Sequence, residues 1–178
     1  VFATKVLYML NNDINDKDKI SNFLLKYLND DGAIYDSNVL RKSLFQRIYR
    51  CIRDYSFNNL FGTELIRGET RQTYAALLSI NSLPKITYNE FRVQDEDIEK
   101  YIRDLDWDSP WNACSNFGHL IFFTKINSIV EDSNQSEMIN NYFKYVNKNY
   151  KQIDGTWSSN MDIPIHQKIT CANFSLSH

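Results

Sequence analysis

The chain has 178 residues, which is the usual length of one domain. Hydrophobic residues make up 43% of it and charged residues 24%, so the composition is globular and can supply a buried core without disulfide staples. The 20 basic and 22 acidic residues leave a net charge of -2, which excludes a strongly basic nucleic-acid-binding module. No apolar run is long enough to span a membrane, and no low-complexity tract indicates disorder.

Glycine and proline are scarce, with 5 and 3 residues, whereas an all-β chain of this length would need many of both in its tight turns. Tyrosine and phenylalanine number 11 each, and such large side chains suit interlocking contacts between helices. The composition therefore predicts an all-α fold.

The three cysteines, Cys51, Cys114 and Cys171, are odd in number, far apart, and without the C-x-x-C spacing of zinc or redox sites. We expect three small buried thiols. Reduced thiols are typical of a cytoplasmic location. Because the chain opens at Val1, the alternative of a removed signal peptide stays open.

Apolar spacing predicts eight helices, which in chain order cover residues 2–12, 16–29, 37–55, 71–82, 95–105, 118–130, 134–148 and a last segment from 164 onward. The second, fifth and seventh have narrow apolar stripes, as expected of helices that cover a core on one side. The first, fourth, sixth and eighth are apolar around most of their circumference and should be covered on most sides. This alternation is typical of outer and inner helices in stacked antiparallel hairpins, although the third helix fits neither kind. Residues 57–68, with two glycines, are predicted to be irregular.

Similar turn segments follow the three narrow helices, at residues 27–34, 101–108 and 152–157. An Asp-Gly pair turns the chain, and a large side chain just after it can fill the gap between successive hairpins. The pattern Gln152-x-x-Gly155-x-Trp157 resembles the end of the QW repeat of the terpene cyclase and protein prenyltransferase superfamily. The resemblance implies an α/α toroid of inner and outer helices.

The other two segments match the repeat only in part. The first segment has Asp31-Gly32, but Ile34 stands at the position of the tryptophan. In the middle segment Asp106 lies near the position of the glutamine, and Ser-Pro-Trp at 109–111 replaces Gly-x-Trp. Eight helices make an arc or a small ring rather than a full toroid. We therefore expect one all-helical domain over 1–178, arranged as a partial or small α/α toroid. The alternative is a fragment of a larger toroid.

No catalytic motif of that superfamily is present. The D-x-D-D acid motif is replaced by Asp-Leu-Asp-Trp at 104–107, with Asp108 displaced by one position. Cys114 and His119 lie near one another, but the aspartate-x-cysteine pair of the prenyltransferase zinc site is missing. The sequence therefore predicts no metal and no cofactor.

The segment 104–119 is the richest in reactive side chains, and its acids are Asp104, Asp106 and Asp108. Crowded carboxylates raise one another's pKa, so one of them could serve as a proton donor near neutrality. The alternative, which is the commoner role of such acids, is that they cap the next helix or are solvated.

Flat tryptophan faces suit sugars and isoprenoids, so the candidate substrate-binding residues are Trp107, Trp111, Asn112 and Trp157. The alternative is that the tryptophans fill the gap between hairpins. His119 is a candidate general base if its ring is exposed and has an acid partner, and a buried histidine otherwise. His166 holds the corresponding place in the last hairpin, and the two histidines could face one cavity.

Arginines at 41, 47, 50 and 53 give the third helix a basic face, which could bind an anionic partner or could simply be solvated. The sequence favours a non-catalytic helical-hairpin interaction module with a concave surface, whose partner is a protein or a small molecule. The alternative is an α/α-toroid enzyme that acts on an isoprenoid or a carbohydrate by acid-assisted chemistry. Neither hypothesis involves nucleic acid or a membrane span.

Overall fold

The computed structural model describes residues 16–38, 44–53, 62–91, 95–168 and residue 171. These residues form α-helices and no β-sheet, which confirms the all-α class. The predicted helix at 2–12 and most of the last one lie outside the described residues, although 165–168 form a helical turn. In chain order the helices are α1 Lys17–Leu25, α2 Leu44–Arg53, α3 Thr63–Ser79, α4 Asp95–Arg103, α5 Pro110–Val130 and α6 Ser136–Tyr150.

The chain divides into two compact units between Asn89 and Glu90. The first unit contains α1, α2 and α3, and the second unit contains α4, α5 and α6. Within the first unit α1 packs against α3, and within the second unit α6 packs against both α4 and α5.

Helices α3 and α5 each begin two turns earlier than the sequence predicts, at Thr63 and Pro110. Gly68 lies inside α3 with open space around it, so the glycine neither ends the helix nor bends it into a loop. Pro110 occupies the first turn of α5, where its missing N–H costs no hydrogen bond. The prediction that 57–68 is irregular was therefore wrong for its last residues, which are helical.

Helix α5 is enclosed on opposite sides. Phe117 and Ile126 lie about 180° apart at ~100° per residue, and both are buried, with 2% and 1% of their surface exposed. Only a narrow stripe of α5, including Lys125 and Ile129, reaches solvent. A helix that is apolar nearly all round is covered nearly all round, as its sequence predicts.

Helices α4 and α6 bury one stripe each. Ile98 and Ile102 are the buried hydrophobic residues of α4, and Tyr142 and Val146 are those of α6. Each pair has the i, i+4 spacing of a single helix face. These are the one-sided helices that the fifth and seventh apolar patterns predict.

The core of the first unit is built around Tyr74 of α3, which is fully buried. Its hydroxyl donates to the carbonyl oxygens of Gly32, at 2.9 Å, and Ile86, at 3.3 Å. Burial, together with the negative charge of Asp31, raises the pKa of Tyr74 to about 12. The neutral phenol is therefore the form that the folded unit favours.

Helix α2 differs from the others because its apolar side chains face solvent. Phe45, Tyr49 and Ile52 are 85%, 64% and 68% exposed. This is the helix whose sequence fits neither the narrow nor the broad kind.

Candidate functional site

The turn after α1 is closed by a short antiparallel bridge. Leu28 pairs with Ile34 across it, and the Asp31 carboxylate accepts a hydrogen bond from the backbone N–H of Ala33 at 2.9 Å. Gly32 has φ +83°, a left-handed conformation that favours glycine. The Asp-Gly pair therefore turns the chain for the reason inferred from the sequence.

The turn after α6 is built in the same way. Lys151 pairs with Trp157, the Asp154 carboxylate accepts from the backbone N–H of Thr156 at 3.0 Å, and Gly155 has φ +82°. The two segments with Asp-Gly therefore share one backbone geometry, although they lie in different units.

The two glycines differ in their surroundings. A Cβ added to Gly32 would overlap the backbone carbonyl of Thr87 and would lie 2.9 Å from Cα of Tyr88. A Cβ added to Gly155 would meet nothing within 4 Å. Gly32 is required both for its backbone angle and for a close approach, and Gly155 for its angle alone.

Asp154 also holds the buried ammonium of Lys168, with Oδ2 and Nζ 3.2 Å apart. The Lys168 ammonium donates a second hydrogen bond to the carbonyl of Met161 at 2.9 Å. Hydrogen bonds from the Thr156 side chain and backbone, and then from Lys168, hold the pKa of Asp154 below its usual value. This carboxylate is thus committed to the turn and to the segment that follows it.

Trp107 packs into the second unit and does not line a cleft. It is 3% exposed, its ring stacks on Tyr150 at a centroid distance of 4.3 Å, and its indole N–H donates to the carbonyl of Ile102 at 2.8 Å. A buried ring with its polar atom satisfied is a packing element. Trp107 therefore lies in the core of the second unit.

Trp157 has a similar role in the next turn. Its indole N–H donates to the side-chain oxygen of Asn147 at 2.9 Å, and its half-buried ring lies edge-on to Phe117 and tilted against Phe143. Trp111 and Asn112, the other candidate binding residues, are exposed at the start of α5.

The turn segments around Trp107 and Trp157 are joined. The backbone N–H of Ser159 donates to the carbonyl of Trp107 at 3.0 Å, and the Ser159 hydroxyl donates to the Asp108 carboxylate. The structure thus brings together these two predicted segments, through hydrogen bonds between their loops.

Cys114 and Cys171 form a disulfide, with their Cα atoms 5.4 Å apart. The expectation of three separate thiols was therefore wrong for this pair, because residues 57 apart in sequence meet when α5 and the C-terminal segment come together. Cys51 is the free cysteine and is half-buried.

The acids of the candidate site, Asp104, Asp106 and Asp108, are all exposed. Of the three, Asp108 binds the Ser159 hydroxyl. None of them lines the groove between α4 and α6 that is described below. Their surroundings resemble the solvated, turn-forming alternative rather than a proton-donating cluster.

His119 is buried in α5, 5% exposed, with its ring 6.4 Å from that of Phe123. A general base needs an accessible ring, so this position fits the buried alternative. His166 is exposed, and the two histidines therefore do not have matching environments. Within the described ranges no three His, Cys, Asp or Glu residues are grouped as metal ligands.

A concave groove of about 490 Å³ lies between α4 and α6, and the sequence analysis did not identify it. Its lining contains the carboxylates of Glu99 and Glu137, and none of its described lining residues is a lysine or arginine. Apolar patterns show which face of α4 and α6 is buried but not how far apart the two helices stand. Met138, Asn141 and Tyr145 also line the groove, and none of the three is buried.

No known protein family, curated protein or solved structure matches the chain. Among the described helices, none is both long and apolar enough to cross a membrane. The function must therefore be argued from the geometry.

Proposed function

We propose that this chain is a non-catalytic helical-hairpin interaction module whose α4–α6 groove binds a positively charged segment of a partner protein. The observation that carries the proposal is the groove itself, which combines two carboxylates with an aromatic and thioether lining. A volume of about 490 Å³ lies within the ~300–1,000 Å³ of ordinary binding pockets.

Each kind of lining residue suits a peptide segment that carries both cationic and apolar side chains. Glu99 and Glu137 can pair with lysine or arginine, and the half-buried tyrosine ring of Tyr145 offers a face to a cation. Met138 adapts its shape to an apolar neighbour, and the amide of Asn141 can both donate and accept hydrogen bonds.

The toroid arrangement is part of this proposal. The shared geometry of the turns at Gly32 and Gly155 supports a repeated hairpin. The burial of α5 on opposite sides, against one buried stripe on α4 and on α6, supports inner and outer helices. In such an array the outer helices present their remaining faces to partners.

The enzyme alternative would need the acids Asp104, Asp106 and Asp108 at the wall of a pocket that excludes water. They are exposed, and Trp107, the proposed platform between them, is buried with its N–H satisfied. No observation in the described residues favours acid-assisted chemistry on an isoprenoid or a carbohydrate.

A fluorescein-labelled peptide of alternating arginine and leucine residues tests the proposal by fluorescence anisotropy. We expect saturable binding that Glu99→Gln and Glu137→Gln each weaken about two- to fivefold, since an exposed ion pair contributes ~0.2–1 kcal/mol. Glu69→Gln, an exposed carboxylate on α3, is the matched control and should leave the Kd unchanged. Equal binding of a peptide with glutamate in place of arginine, or no saturable binding, would refute the proposal.

A further inference from the structure

Helix α2 presents an apolar stripe that the chain leaves in solvent. Phe45, Ile48, Tyr49 and Ile52 have the i, i+3, i+4, i+7 spacing of one helix face, and they are 85%, 38%, 64% and 68% exposed. Scattered exposed apolar residues need no explanation, but a continuous stripe on one helix marks an interaction surface.

The same helix is basic. The sequence of α2, Leu44–Arg53, contains arginine at 47, 50 and 53 and no acid, in a chain whose net charge is -2. At ~100° per residue these arginine positions fall beside and opposite the stripe, not within it. The helix therefore combines an exposed apolar stripe with a basic sequence, and its complement is an acidic groove with apolar side chains.

The α4–α6 groove of the same polypeptide has that complementary chemistry. Glu99 and Glu137 supply negative charge, and the half-buried Met138 and Tyr145 supply apolar and aromatic surface. The 10 residues of α2 span ~15 Å, and the groove lining on α6, from Glu137 to Tyr145, spans ~14 Å. The charges of the two surfaces are opposite.

We propose that α2 of one copy docks into the α4–α6 groove of a second copy, an inference that rests on the proposed function of the groove. Anchors at i, i+3, i+4 and i+7 laid into a groove are the usual form of helix recognition between proteins. Tyrosine, methionine and arginine, which occur on the two surfaces, are residue types enriched at protein interfaces. The acidic groove on the same polypeptide favours a protein groove over a lipid surface as the occupant.

The contact is heterologous, because the surface on one copy differs from the surface on the other. Each added copy then offers a further α2 and a further groove, so association closes into a ring or continues as a chain. The mass-average molecular mass should therefore rise with protein concentration.

Sedimentation velocity of the full chain over a hundredfold range of concentration is the primary measurement. We expect concentration-dependent association that Phe45→Gln with Ile52→Gln weakens by about tenfold or more, since central anchors dominate such interfaces. Both positions are exposed, so these substitutions should not unfold the chain. A single monomeric species at every concentration, or association that the double variant leaves unchanged, would overturn the proposal.

A charge exchange tests the pairing of the two surfaces. One chain carries Arg50→Glu and Arg53→Glu, and the other carries Glu99→Lys and Glu137→Lys. Each should stay monomeric alone, and an equimolar mixture should associate because every contact in it joins opposite charges. Glu69→Lys is the control for a change of surface charge and should associate like the unaltered chain. A mixture that stays monomeric contradicts the pairing.

Two further results separate this inference from the proposed function. A chain that stays monomeric but binds the arginine–leucine peptide in a Glu137-dependent way refutes self-docking and leaves the groove proposal standing. A monomer that binds no such peptide refutes both. A third result is a monomer that binds vesicles of phosphatidylserine and phosphatidylcholine but does not bind vesicles of phosphatidylcholine alone. If this binding requires Phe45 and Ile52, it refutes self-docking in favour of a lipid surface.

Discussion

Ile126 and Ile129 lie one turn apart on α5, and only Ile126 is enclosed, with 1% of its surface exposed against 45% for Ile129. Replacing a fully buried isoleucine by alanine costs ~2–5 kcal/mol, from lost burial and from the cavity that remains. We expect a loss of about 3 kcal/mol for Ile126→Ala, because Phe117 on the opposite side of α5 is also buried and limits collapse of the helix into the cavity. Ile129→Ala keeps the same chemistry, and we expect about 1 kcal/mol or less because the side chain is already half in water.

Urea unfolding followed by tryptophan fluorescence measures this difference in the relevant unit, because all three tryptophans lie in the second unit with α5. With a slope of ~1–3 kcal/mol per molar urea, Ile126→Ala should lower the midpoint by roughly 1–3 M, and Ile129→Ala by about a third of that shift or less. Equal shifts for the two variants would refute the inference that α5 is enclosed.

Three further predictions concern the turns, the disulfide and the buried tyrosine. Because Gly32 and Gly155 both have positive φ, alanine at either costs ~1–2 kcal/mol, and Gly32→Ala should cost clearly more in thermal unfolding since its Cβ overlaps neighbouring backbone. Reduction of the Cys114–Cys171 bond, which closes 57 residues, should lower the free energy of unfolding by roughly 4 kcal/mol on a chain-entropy estimate, and a variant with serine at both positions should not respond to reductant. The pKa of Tyr74 is raised to about 12. The neutral phenol therefore contributes fully to the free energy of unfolding below the usual pKa near 10, and this contribution is lost as the pH rises towards 12. Circular dichroism in urea should show the unaltered chain losing about 2–3 kcal/mol more than Tyr74→Phe between pH 9 and 12, and parallel pH profiles would contradict the assignment.

Much of the helical architecture could be predicted because apolar spacing records which faces are buried. The narrow apolar stripes of α4 and α6 contain the i, i+4 pairs that the structure buries. The broad apolar pattern of α5 corresponds to the burial of both Phe117 and Ile126. Helix starts were less predictable. Gly68 lies inside α3 although glycine often interrupts a helix, and α5 begins at Pro110, a common first-turn residue that apolar spacing does not reveal.

The candidate site shows where local patterns stop being informative. Sequence alone left open whether the ring of Trp107 would line a cleft or fill a gap. The contacts with Tyr150 and Ile102 that decide the matter come from other turns and helices. The same holds for Cys114 and Cys171, whose pairing depends on contacts over long sequence separation.

The bonded cysteines also bear on the compartment. A disulfide is the state that oxidising compartments favour, whereas the cytoplasmic expectation depended on reduced thiols. Titration of the thiols, after the protein is unfolded without reductant, distinguishes these states. We expect one reactive group per chain, from Cys51. Three reactive groups would support the reduced form.

The location of the binding surface is most directly tested by heteronuclear NMR of the ¹⁵N-labelled chain titrated with the arginine–leucine peptide. We predict that the amide shifts change along the facing sides of α4 and α6, around Glu99, Glu137 and Asn141. Shift changes concentrated at residues 104–112, with α4 and α6 unaffected, would place the binding surface at the acids and tryptophans and would contradict the account.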